Sequence, residues 1–210
     1  MSGASMEKAF YEQRKQALIQ EITLAFEGVS REEGVTLHEA TVLDDYGGPE
    51  ERAKARARDT EQSWQAVPES DIRLTDAVLS FLDDKGFRYY IPAYMVWYLR
   101  HIDDEASIHR STTFDSVVFH LTYFDQGLSE GGIPEKFKLF TAAQGRAIAH
   151  FLLFESARQE ALEKQWMKAS LTKGGLSPED IEPILQAQDF QDAQIRSALD
   201  RYWQKFLPAS

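Results

Sequence analysis

The stretch GFRYYIPAYMVWYLRH, residues 86–101, decides how the rest of the chain is read. From Ala93 to Leu99 every residue is apolar or aromatic, and a helix without a polar face belongs in the middle of a domain. The run is shorter than the roughly 20 residues a bilayer requires. It is also flanked by Arg88, Arg100 and His101, so it does not read as a membrane span. Pro92 is tolerated in a helix only near its start, which predicts a turn or short lead-in over 87–90 and a helix over 92–102.

Helical signals continue in both directions. Phe10, Arg14, Leu18, Ile22 and Phe26 step by four, giving an amphipathic helix from Met6 that Gly28 stops. Thr36 and Glu39 have the spacing of a capping box, predicting a helix from Leu37 to about Tyr46. Pro49 suits the first position of a third helix, with Glu50 and Glu51 at its positive end and Arg52, Lys54, Arg56 and Arg58 beyond. Ser70 or Asp71 caps a helix carrying Leu74, Val78, Phe81 and Leu82 on one face, with Gly86 as its terminator.

Beyond the opening stretch, residues 103–110 read as a polar loop. Phe114, Val117, Val118, Leu121 and Phe124 fit helical spacing, so 113–124 is taken as helix despite its β-branched content. Residues 125–136 form a turn-rich loop. Thr141 and Gln144 open a long helix reaching Met167 or beyond, Ser177-Pro178 opens another, and Ile195, Leu199, Tyr202, Trp203 and Phe206 mark an aromatic terminal helix. The expectation is all-α: one globular domain of about eight helices spanning 1–210, with residues 1–5 disordered.

Composition narrows the function. With 43% of its residues hydrophobic and 12% aromatic, the chain has ample material for a core. A net charge of -11 repels phosphate backbones and anionic lipid, so neither nucleic acid nor membrane is an expected partner. The chain has no cysteine, which excludes disulfides, thiolate catalysis and iron-sulfur clusters. No apolar segment follows a basic N-terminus, and the expected location is the cytoplasm.

The segments GVTLHEATVLDDYG, LSFLDDKGFRYYIPAYMVWYL, TAAQGRAIAHFLLF and ALDRYW, in this order, resemble a bacterial family of unknown function that is common in cyanobacteria. The FRYYIPAYM block is the most specific. The resemblance implies a single soluble α-helical domain and no particular activity.

Chemistry-bearing residues are sparse. His38 and Asp45 lie two turns apart on the predicted Leu37 helix, a pairing that could hold a ligand, although Glu39 is explained as a cap and Asp44 and Asp45 as solvated charges. Arg88, set between Phe87 and Tyr89, needs a carboxylate or aromatic faces; it clamps the fold or binds an anion among Tyr89, Tyr90 and Tyr94. His101, His109, His120 and His150 have no ligand spacing, so no metal and no cofactor is expected. There is no nucleophile motif and no phosphate loop. The function these features suggest is a non-enzymatic interaction or accessory protein with a protein partner. The alternative is an enzyme or small-ligand binder around His38, Asp45 and Arg88.

Overall fold

Five helix starts are fixed by side chains. Thr36 Oγ1 accepts from Glu39 N at 3.4 Å, Asp83 Oδ1 from Gly86 N at 2.8 Å, Thr141 Oγ1 from Gln144 N at 3.3 Å, Ser177 Oγ from Asp180 N at 3.3 Å and Asp192 Oδ1 from Ile195 N at 2.7 Å. Each satisfies an amide that has no partner within its own helix. At Thr141 the box is complete, because Gln144 Oε1 accepts from Thr141 N at 3.1 Å.

The computed structural model describes residues 3–73, 77–104, 112–124 and 132–208. Among the described residues there are 11 helices, 8 of them of at least 7 residues, and no strand; 73% of the described residues are helical, in one globular domain. In chain order they are α1 (Gly3–Ala25), α2 (Leu37–Asp44), α3 (Pro49–Arg56), α4 (Glu69–Ile72), α5 (Val78–Phe81), α6 (Asp84–His101), α7 (Thr113–Thr122), α8 (Glu135–Lys138), α9 (Ala142–Lys173), α10 (Pro178–Ala187) and α11 (Ala193–Arg201). A 3₁₀ turn, Trp64–Ala66, precedes α4, and another, Trp203–Phe206, follows α11. No described helix is long and apolar enough to cross a membrane.

The central helix is longer than Pro92 predicts. α6 starts at Asp84, and Pro92 lies inside it. Asp83 caps the helix and supplies a nucleus eight residues before the proline, so the helix tolerates a position at which Pro92 has no N–H to give the Arg88 carbonyl. Gly86 therefore belongs to the first turn of α6 and does not terminate the preceding segment. That segment consists of two short helices, α4 and α5. Leu74 lies outside the described residues, as do His109, residues 105–110 of the expected polar loop and residues 125–131 of the next one. The described end of the latter carries α8.

α6 fills the role its composition implies. Phe87 and every residue from Tyr89 to Leu99 are buried, and the helix packs against α1, α4, α7, α8 and the Trp64 turn. α1 and α9 lie side by side along its flank, and the Trp203 turn closes on α9. Three buried aromatic tips find acceptors: Trp64 Nε1 donates to Phe26 O at 2.9 Å, Trp203 Nε1 to Leu121 O at 2.8 Å and Tyr202 OH to Phe137 O at 2.9 Å.

His120 is also a satisfied core residue. Its Nδ1 donates to Ser116 O at 2.8 Å, its Nε2 lies 3.0 Å from Ser80 Oγ, and burial lowers its pKa to about 4. Glu155, 1% exposed, is held by Arg158 through two contacts of 2.8 Å and by Gln159 at 2.9 Å. A buried carboxylate is tolerated when its oxygens are paired in this way.

Two backbones touch where α6 begins. A Cβ on Gly86 would stand 2.4 Å from Val35 O, and one on Gly34 2.5 Å from Gly86 N. Only glycine permits this approach. Asp83 Oδ1 accepts from Val35 N at 2.9 Å as well as from Gly86 N, which fixes the start of α2 against the start of α6.

Candidate functional site

This junction orients a polar cluster between α2, α4 and α6. Thr36 ends the extended approach to α2 and leaves the amide of His38 in the first turn, where an acceptor is wanted. Asp59, from the strap that follows α3, supplies it: Oδ2 accepts from His38 N at 3.0 Å while Oδ1 lies 2.6 Å from His38 Nδ1. A carboxylate only accepts, so Nδ1 carries the proton, and in the neutral ring Nε2 is left with the lone pair. The Asp59 side chain is 2% exposed.

Asp71, half-buried in α4, completes a group of three. One ligand atom each from His38, Asp59 and Asp71 lie within 4.8 Å of one another. Tyr94 comes from α6 and is 1% exposed, and its hydroxyl has no hydrogen-bond partner among the described residues. Burial, then the charges of Asp71 and Asp59, raise its pKa well above that of an ordinary phenol.

A second knot holds the same strap. Arg31 NH1 donates to Glu61 Oε1 at 2.6 Å and to Tyr90 OH at 2.8 Å, and NH2 donates to Asp59 O at 3.2 Å. Tyr90 OH donates in turn to Glu61 Oε1 at 2.6 Å. The Arg31 guanidinium also sits 5.7 Å from the centre of the Tyr89 ring, which meets Tyr90 edge-on at 4.8 Å. Burial and the Glu61 charge push Tyr89 up to about 12 and Tyr90 further, so both stay protonated at neutral pH.

Glu39, expected as a cap, is buried. Arg52 reaches its Oε1 at 2.8 Å and Arg56 its Oε2 at 2.9 Å. Burial alone would raise the Glu39 pKa; the two arginines outweigh it and leave the group below the usual carboxylate range. Part of the ERAKARARD run is thus an internal clamp between α2 and α3.

The residues singled out from sequence are distributed as follows. His38 and Tyr94 share the cluster with Asp59 and Asp71, and Tyr89 and Tyr90 share the Arg31 knot. Asp45 is exposed at the C-terminal end of α2. Arg88 donates through Nε to Gln144 Oε1 at 3.2 Å, tying α6 to the start of α9. Arg31, Asp59, Glu61 and Asp71 were not picked out as site residues. Asp59 shows in the sequence only as the acid ending a cationic run, and Asp71 only as a possible cap. They come from separate segments, so no spacing motif joins them.

The chain belongs to the Family of unknown function (DUF6714), which it matches over residues 14–173. No curated protein and no solved structure matches it.

Proposed function

Starting from a family with no assigned activity, we propose that this chain is a non-enzymatic accessory protein that seats a helix of a partner protein along the seam between α1 and α9. The observation that carries this reading is a row of three grooves on that seam, of about 400, 290 and 330 Å³, each bordered by an exposed leucine: Leu24, Leu153 and Leu162. Phe10 and Trp166, also exposed, lie on the same two helices. Apolar side chains in a line on paired helices match the recognition of an amphipathic helix through anchors at helical spacing.

Charge does not select the sign of the partner helix: Arg14, Arg146 and Arg158 border the grooves against Glu21 and Asp103, so the seam is close to neutral on an otherwise acidic chain. The enzyme or small-ligand alternative around His38, Asp45 and Arg88 has less support, because these three residues have separate surroundings.

The test is site-specific photocrosslinking from position 153 in the native cell, followed by binding measurements with the purified captured partner. Leu24→Asp with Leu162→Asp should leave helicity intact and weaken binding at least about 30-fold, as loss of buried anchors does. A partner that binds the double variant normally would refute the reading. A homodimer that the same substitutions dissociate would assign the seam to a second copy of the chain.

A further inference from the structure

We propose that His38, Asp59, Asp71 and the Tyr94 hydroxyl form a binding site for one divalent first-row transition-metal ion. The sequence-level expectation of no metal considered only ligands at close spacing along the chain. Here the donors come from α2, the strap, α4 and α6, and the fold alone brings them together.

Three observations point to a cation. Donor atoms of His38, Asp59 and Asp71 lie within 4.8 Å of one another. Two ligands of such an ion, each at about 2.1 Å, stand roughly 3 to 4 Å apart, so a small adjustment closes the site. The cluster also gathers two carboxylates, one with a 2% exposed side chain to which no lysine or arginine side chain among the described residues is bonded. A divalent ion neutralises the pair.

The third observation is Tyr94. Its oxygen is enclosed, has no hydrogen-bond partner among the described residues and lies within the electrostatic reach of both carboxylates. Buried hydroxyls are nearly always paired, and the exceptions call for a ligand or another explanation. The His38–Asp59 contact by itself accounts for neither Asp71 nor Tyr94.

Donor chemistry sets the ion class. One imidazole among oxygen donors, with no thiolate, suits zinc, iron or manganese and is a poor match for magnesium or calcium, which prefer oxygen alone. With four protein donors the ion is a structural clasp that fastens the strap and α4 to the core, as closed sites do.

The experiment titrates chelator-stripped full chain with zinc, manganese and magnesium chlorides by calorimetry, with thermal melts in parallel. Zinc should bind one per chain at about micromolar affinity or better and raise the melting temperature. Asp71→Asn should weaken binding by roughly 100-fold and Tyr94→Phe by about tenfold. Tyr94→Phe without metal should be no less stable than the parent, because the hydroxyl it removes is unpaired. Absence of one-to-one binding at millimolar zinc would overturn the proposal. So would zinc binding that both variants retain in full, which would place the ion elsewhere, for instance at His150 and Glu21. Tighter binding of magnesium than of zinc would overturn the transition-metal assignment.

Discussion

At residue scale, two arginines near the same aromatic block have unequal roles. Arg31 neutralises Glu61, whose side chain is 7% exposed, whereas Arg88 donates its hydrogen bond to the neutral Gln144. Arg31→Met leaves a buried carboxylate without its counter-charge and should cost about 3 to 5 kcal/mol. Arg88→Met removes one hydrogen bond and should cost about 1 kcal/mol in the same urea melts. From sequence, Arg88 was the guanidinium expected to need a carboxylate, because it is embedded in the FRYY block. Arg31 sits in a polar turn and gave no such signal; the fold buries it, not its neighbours in sequence. His120 supplies a test with pH. Its folded pKa of about 4 lies below the unfolded 6.5, so the unfolded state takes up the proton first and stability falls as pH drops from 6.5 to 4. The loss attributable to this group is about 3 kcal/mol, and His120→Gln should flatten that part of the stability profile.

At the scale of elements, the helix starts were legible where a side chain itself does the capping. Thr36, Thr141 and Ser177 are short-range signals, and each marks a real N-terminus. The start of α6 was not legible, because Pro92 and Gly86 both signal a break. The Asp83 cap and the pressure to bury Phe87, Tyr89 and Tyr90 outweigh them. Of the candidate site, His38 and Tyr94 were visible and their partners were not, since a contact between separate helices leaves no periodic trace. The Gly34–Gly86 approach predicts a large effect from a small change. Gly86→Ala must push Val35 away from α6 or distort the first turn, costing on the order of 3 kcal/mol by overpacking. If denaturant midpoints for Gly86→Ala match the parent, the two backbones are not held together as described.

At the scale of the molecule, burial is uneven. In α9 the buried residues end at Glu155, and none from 156 to 173 is buried; α10 packs back against this half and itself buries only Ile181. Local opening is governed by such differences in packing. Amides of 160–187 should therefore exchange with deuterium at least about 100-fold faster than those of 90–99, read by mass spectrometry, and equal rates would show that the molecule opens only as a whole.

Glu155 is the last buried residue of an uninterrupted helix. The 18 residues beyond it span about 27 Å, so a tilt of roughly 10° at the Glu155–Arg158 clamp swings the far end by about 5 Å. That clamp also touches Tyr98 in the middle of α6. Helix α9 is thus built like a lever with its fulcrum in the core, and a load placed near Trp166 is expected to bear on the contact with Tyr98.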